Sequence, residues 1–126
     1  MVYKKYDLET RLLNYSASII RFVDSIPKTR EGNHVGGQLL RSGTSPLFNH
    51  GEAQAAESPK DFVHKMKICL KELRESHRCL RLIQHVPLIK PTSKADELIS
   101  ETVELIKIFV SSIKTAQKRV KPKNCS

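Results

Sequence analysis

The stretch ESPKDFVHKMKICLKELRESHRCLRLI, residues 57–83, decides the fold. Ser58 can cap a helix, Pro59 suits the first helical position, and Asp61 places a carboxylate near the positive end of the helix dipole. The mostly apolar seam that follows alternates steps of four and three residues over three heptads, as in a helix packed in a bundle. It consists of Phe62, Met66, Cys69, Leu73, Ser76, Leu80 and Ile83. The pattern predicts a helix over 59–85.

The face of this helix opposite the apolar seam is basic. Its seven residues, called the basic ridge below, are Lys60, His64, Lys67, Lys71, Arg74, Arg78 and Arg81. Glu72 and Glu75 fall to its flanks. The whole chain has 22 Lys and Arg against 13 Asp and Glu, a formal net charge of +9, which favours polyanionic partners. A solvated helix face with no ligand is the alternative to a surface that binds RNA or DNA.

The residue types on the ridge indicate how a nucleic acid would be bound. Lysine and arginine on an exposed helix reach phosphates, and without interleaved aromatic side chains they offer bases no stacking platform. We therefore expect contacts to phosphates with low sequence specificity.

The segment QLLRSGTSPLFNHGEA, residues 38–53, has leucines at helical spacing and also a Gly, Ser and Thr run that could cradle a phosphate. It lacks the order of a Walker loop, so a helix over about 32–57, beginning between Glu31 and His34, is the prediction. Pro46 should bend or break this helix, with Ser45 able to cap the new segment. The residues Gly36, Leu40 and Gly43 share one face, where a neighbouring backbone could approach closely.

The first and fourth helices complete the pattern. A seam in steps of four and three predicts a helix over about 7–26, with Asp7 as its N-cap and Pro27 ending it. This seam consists of Leu8, Leu12, Tyr15, Ile19, Phe22 and Ile26.

Ser93 is the expected cap of a fourth helix over about 94–118. Its nine apolar positions cover a wide arc, which favours cover by a neighbouring subunit over a buried central helix. They are Leu98, Ile99, Val103, Leu105, Ile106, Ile108, Phe109, Val110 and Ile113.

Four such helices with short connections predict an all-α fold, an antiparallel up-down-up-down four-helix bundle. We expect one domain over residues 1–120, with the second helix kinked near Pro46, and a basic flexible tail at 121–126. No apolar run is long enough to span a bilayer and no signal segment precedes the first helix, so the expected location is the cytoplasm.

Enzymatic chemistry finds little support in the residue patterns. A di-iron bundle needs two Glu-x-x-His pairs, and only Glu31 with His34 has that spacing. The three cysteines, Cys69, Cys79 and Cys125, show no C-x-x-C spacing and predict neither a disulfide framework nor a zinc site. No nucleophile elbow occurs. We expect no enzyme, no cofactor and no metal.

The chain resembles a family of bacterial four-helix-bundle proteins first noticed as open reading frames in the intervening sequences of large-subunit ribosomal RNA genes. The resemblance spans about residues 6–83 and is most specific in the Q-L-L-R-S-G-T-S core. Its motif falls on Gln38, Leu39, Arg41, Ser42, Ser45, Asn49, Glu52, Asp61, Phe62, Glu72 and Leu73. Pro46, Phe48 and His50 depart from the residues that family members more often carry.

The resemblance implies a compact bundle, commonly a ring-shaped homopentamer, with no established enzymatic activity and a suspected nucleic-acid role. A related branch, the accessory variability determinant proteins of diversity-generating retroelements, forms basic pentamers that partner a reverse transcriptase and its RNA. An assembly scaffold for such a nucleic-acid-associated protein is therefore the alternative function. The polar motif residues Gln38, Arg41, Ser42, Ser45, Asn49 and Glu52 are expected to set helix and subunit register, and a ligand role is the second interpretation. Partial burial with hydrogen bonding is expected of Arg41, Asn49 and Glu52.

Overall fold

Four helices make up the structure, a computed structural model that describes residues 3–120, with side chains described from Leu8 onward. They are α1 Tyr3–Asp24, α2 Arg30–Gln54, α3 Pro59–His85 and α4 Asp96–Gln117, with 3-10 turns at Thr92–Ala95 and Lys118–Val120. Each helix packs on the next, α1 also contacts α4, and residues 3–120 contain no strand. The predicted all-α four-helix bundle is confirmed. The predicted tail, 121–126, lies outside the described residues.

The start of α3 is as predicted, whereas the starts of α1 and α2 are not. The Ser58 hydroxyl accepts a hydrogen bond from the Asp61 N–H at 3.1 Å. Asp7 is not an N-cap, because α1 begins four residues earlier and Asp7 lies inside it. The second helix begins at Arg30, just before the predicted range, because the hydroxyl of Thr29 caps it by accepting from the Gly32 N–H at 2.9 Å.

The fourth helix is positioned by α3 rather than by a local cap. Ser93 lies in the 3-10 turn, and the residue at the N-cap position, Ala95, makes no side-chain cap bond. Instead the Gln84 side-chain amide donates to the Thr92 carbonyl and to Asp96 Oδ1, both at 2.8 Å. The prediction of Ser93 as cap was therefore wrong, because a contact between helices holds this start.

The predicted seams face one shared core. On α1, Leu12, Tyr15, Ile19 and Phe22 are buried, and on α3 every seam residue from Met66 to Ile83 is buried. Leu39, Leu105 and Phe109 complete the centre of the core from α2 and α4. Burial of this kind supplies most of the free energy that holds such helices together.

At Gly36 and Gly43 the close contact lies within the chain, and it is made by side-chain carbons rather than by the neighbouring backbone that was expected. A Cβ at Gly43 would lie 2.8 Å from Ile19 Cγ1, and one at Gly36 would lie 3.4 Å from Val23 Cγ1. Leu40, predicted on the same face, is instead 39% exposed. Pro46 lies inside α2, which continues on both sides of it, so the alternative of a break was wrong and no new segment begins at Ser45. A bend at Pro46 stays a prediction.

The wide apolar arc of α4 is largely covered within the chain. Of its nine apolar positions four are buried and five are half-buried. The large apolar side chains that are exposed lie on the other helices and just after α3: Leu13, Ile20, Leu40, Phe48, Leu82 and Val86. No helix within residues 3–120 is long and apolar enough to cross a membrane.

Candidate nucleic-acid interface

The structure brings the basic ridge together on the outer face of α3. All seven of its residues, from Lys60 to Arg81, are exposed. Within residues 8–120 no ion pair involves any of them. The ridge runs for about 30 Å, because each helical residue rises 1.5 Å. Its cations are therefore available to an external anion over the whole length of the helix.

The carboxylates nearest the ridge are held away from it by α2. Arg41 Nη1 donates to Glu72 Oε1 at 3.1 Å, and Arg41 Nη2 donates to Glu75 Oε2. The Glu72 side chain is only 10% exposed and that of Glu75 is half-buried, so both face the α2–α3 contact. One guanidinium thus engages both acids that follow Asp61 on α3. Glu72 and Glu75 are therefore paired with Arg41 of α2 and not with a residue of the ridge.

The other polar motif residues divide into two groups. The Ser42 and Ser76 hydroxyls share a buried hydrogen bond of 2.8 Å between α2 and α3. Within α2, the Asn49 amide donates to Ser45 Oγ at 2.8 Å. Gln38 and Glu52 are exposed, and no hydrogen bond among the described side chains involves either. The expected partial burial was therefore wrong for Glu52, and also for Arg41, whose side chain is 58% exposed although it is hydrogen-bonded to Glu72 and Glu75. Asn49 is half-buried and hydrogen-bonded, as expected. Contacts between α2 and α3 support a register role for Arg41 and Ser42.

A polar contact between α1 and α4 had no signal in the sequence. Tyr15 and Thr102 are buried, and their hydroxyl oxygens lie 2.6 Å apart. Since the Thr102 hydroxyl donates to the Leu98 carbonyl, Tyr15 is the donor to Thr102. Burial raises the pKa of Tyr15 to about 12.

A second contact between α1 and α4 is an ion pair. Arg11 donates two hydrogen bonds to Glu101, at 2.8 and 2.9 Å. This pairing raises the pKa of Arg11. These contacts orient α1 on α4.

The residues considered for catalysis or metal binding do not converge among the described side chains. Glu31 and His34 are both exposed at the start of α2. Cys69 and Cys79 are buried, and burial raises the pKa of Cys69 to about 12 and also raises the pKa of Cys79. A thiol with a raised pKa is a poor nucleophile at neutral pH. Within residues 8–120 no three His, Cys, Asp or Glu side chains lie close enough to hold a metal ion. Cys125 lies outside the described residues.

Comparison with known proteins places this bundle in a family. The sequence model of the family described as 23S rRNA-intervening sequence protein matches residues 4–111. The chain belongs to the 23S rRNA-intervening sequence protein family. The resemblance seen over about residues 6–83 is thereby confirmed, and the match extends beyond the first three helices into α4.

A solved structure similar to this chain has the same architecture. It is a protein of unknown function from the S23 ribosomal protein family of Bacteroides thetaiotaomicron. The two chains superpose with a TM-score of 0.78 at 28% sequence identity, and the match covers 84% of this chain and 97% of the other. No curated protein matched the chain. The family is thus one of small helical proteins of unknown function.

Proposed function

We propose that the protein is a non-enzymatic, cytoplasmic homo-oligomer whose basic ridge binds RNA or DNA through phosphates with low sequence specificity. The observation that carries this proposal is the state of the seven ridge residues. They are exposed along one helix face and make no ion pair within residues 8–120.

The proposed mode of binding follows from side-chain chemistry. Lysine and arginine that neutralise phosphates release condensed counterions, so the affinity falls linearly with salt on a log–log scale. The ridge carries no aromatic residue on which a base could stack. Binding should therefore depend on strand length and salt much more than on base sequence.

A salt titration with matched variants tests the ridge. Wild-type protein should bind an unstructured RNA at low salt, and the combined change Lys71→Glu, Arg74→Glu and Arg78→Glu should remove most of the binding. The steepness of the log affinity against log salt should fall by about 0.7 to 0.9 for each phosphate that the variant no longer neutralises. The control carries the same charge change on exposed residues at the end of α1, in the connection that follows it and at the start of α2, namely Arg21→Glu, Lys28→Glu and Arg30→Glu. Equal losses of affinity in both variants would mean that net charge, not the ridge, binds RNA.

The proposed self-association uses a different side of the molecule. Helical spacing places Leu13, Ile20 and Leu40 along the outer groove between α1 and α2, and they are 57, 51 and 39% exposed. Gly37 and Gly51 lie on the outer side of α2, where an added Cβ would meet no described atom within 4 Å. Exposed leucines beside helical glycines suit the close approach of another helix.

The two proposed surfaces can be used at the same time. Both α1 and α3 pack on α2 and on α4, so they lie across the diagonal of the bundle. Assembly through the α1–α2 groove would leave the ridge on α3 exposed. The family resemblance favours a pentamer, and light scattering of wild type against Ile20→Lys tests assembly. A monomeric wild-type chain would contradict the homo-oligomer.

An adaptor for a nucleic-acid-associated protein, such as a reverse transcriptase, is the second candidate function. The observation that favours it is Phe48, which is 68% exposed on α2 and therefore suits a protein contact. A gene position beside a reverse transcriptase favours the adaptor, whereas a position inside a ribosomal RNA operon favours direct RNA binding. If the adaptor role holds, Phe48→Ser should weaken binding to the adjacent reverse transcriptase and leave RNA binding unchanged.

A further inference from the structure

The C-terminal end of the basic ridge opens into a cleft between α3 and the start of α4. The cleft has a volume of about 690 Å³. Arg78 and Arg81 of the ridge line it together with His85, and Thr92 and Asp96 line it from the 3-10 turn and the first residue of α4. The ridge therefore does not simply end at the last turn of α3, because its final two arginines share a concave surface.

The hydrogen bonds inside this cleft leave its arginines available. Asp96 Oδ1 accepts from the neutral Gln84 amide at 2.8 Å, and the same amide nitrogen donates to the Thr92 carbonyl. Among the described residues neither Arg78 nor Arg81 pairs with Asp96 or with any other carboxylate. Two arginines thus line the cleft together with one carboxylate that is already hydrogen-bonded, so the lining carries a net positive charge.

Two neighbouring arginines suit a phosphate group that has more negative charge and more acceptor oxygens than an internal phosphate of the backbone. Side chains three residues apart on a helix are neighbours, and each guanidinium can hold two oxygens of one phosphate. A phosphate monoester carries close to two negative charges at neutral pH and has three terminal oxygens. An internal diester carries one charge and has two such oxygens. The other ridge residues have the same spacing of three and four, but of the seven only Arg78 and Arg81 line this cleft.

We propose that this cleft binds the terminal phosphate monoester of a nucleic-acid strand whose backbone follows the basic ridge. The inference rests on the proposed function, because it places the end of the strand that the ridge binds. In this proposal the Asp96 carboxylate repels the terminal phosphate and limits how deeply it enters. Arg78 and Arg81 supply the positive charge that attracts it. Recognition of a strand end gives the protein selectivity that a ridge of phosphate contacts alone does not supply.

The experiment compares one RNA oligonucleotide in two forms, with a 5′-phosphate and with a 5′-hydroxyl, and repeats the comparison for the 3′ end. Anisotropy titrations of wild-type protein should give at least about tenfold tighter binding for one phosphate-terminated form, as expected for one additional charged hydrogen bond. The variant Arg78→Gln with Arg81→Gln should bind both forms alike. The control, Lys60→Gln with Lys67→Gln, removes two charges from the other end of the ridge, so it should weaken both forms equally and keep the ratio.

The outcomes separate the cleft from the ridge. If wild type binds RNA but does not distinguish phosphate from hydroxyl at either end, the cleft proposal is wrong and the proposed function stands. If the ratio also disappears in the Lys60 and Lys67 variant, the preference comes from overall charge, which also overturns the proposal. Adenosine monophosphate serves as a free monoester. If it binds as tightly as the phosphorylated strand, the cleft is a mononucleotide site and not a strand-end site.

Discussion

The two faces of α2 differ in what an added methyl group would meet. On the inner face, a Cβ at Gly43 would lie within 3 Å of three carbons of Ile19. On the outer face, a Cβ at Gly37 or Gly51 would meet no described atom within 4 Å. Glycine inside a helix costs about 1 kcal/mol relative to alanine. Packing on α1 explains that cost at Gly43, whereas the outer glycines have no such reason within the described chain.

The largest expected effect comes from filling the inner face. Gly43→Ala should lower the free energy of unfolding by about 1 to 3 kcal/mol, because its Cβ overlaps the branched part of a fully buried isoleucine that cannot move aside. Urea denaturation measures the change, and Gly37→Ala is the matched control on the outer face. An equal response of the two variants would remove the distinction between the faces.

The buried Tyr15 should make the stability of the folded chain depend on pH in alkaline solution. The pKa of Tyr15 is raised to about 12 by burial, from 10.0 for an ordinary tyrosine. The unfolded chain therefore loses this proton first, so the stabilising contribution is complete below pH 10 and is lost as the pH rises through 12. The loss totals about 2 to 3 kcal/mol, since each pKa unit corresponds to 1.36 kcal/mol.

Urea denaturation at pH 9 and pH 11 measures about half of this loss, ~1.3 kcal/mol, because the pKa of folded Tyr15 lies above this interval. Tyr15→Phe is the control. The variant lacks the hydroxyl bonded to Thr102 and should be less stable at pH 9, but its stability should fall less between the two pH values. Cys69, with a pKa raised to about 12 by burial, adds a loss of the same sign in both proteins. Parallel curves for wild type and variant would show that Tyr15 ionises as easily in the folded chain as in the unfolded one.

A smaller effect is expected at Arg41, which joins α2 to α3 between the two faces. Arg41→Ala should lower stability by about 1 to 2 kcal/mol, because it leaves the buried Glu72 without its partner while the exposed part of the pair contributes little. Adding Glu72→Gln should recover part of the loss. Arg30→Ala, which breaks an exposed pair with Glu31, should change stability by no more than about 0.5 kcal/mol. A similar small change at Arg41 would contradict a register role for it.

The sequence predicted those parts of the fold that depend on local pattern. The seams of α1 and α3 were found because burial repeats every three or four residues, and the Ser58 cap because its partner is three residues away. The cap of α4 was mispredicted as Ser93, because the start of this helix is held by Gln84 of another helix. The pairing of Arg41 with Glu72 and Glu75 joins residues more than 30 positions apart, which periodicity cannot show. For the candidate site, residue spacing alone predicted that the ridge lies on one helix face. Spacing could not predict the cleft, because Asp96 lines it from another helix.

The smallest effect is the one that tests why the outer glycines are there. Gly37→Ala should raise the unfolding free energy of the monomeric chain by about 0.5 to 1 kcal/mol, because alanine restricts the unfolded chain and meets no atom in the folded one. If another subunit approaches α2 at this point, the same methyl group should weaken assembly, so stability and self-association would move in opposite directions. Denaturation at a concentration where the chain is monomeric, with light scattering at higher concentration, separates the two quantities. Higher stability with unchanged assembly would mean that the outer glycines have no packing partner, and the subunit contact would then have to lie away from Gly37.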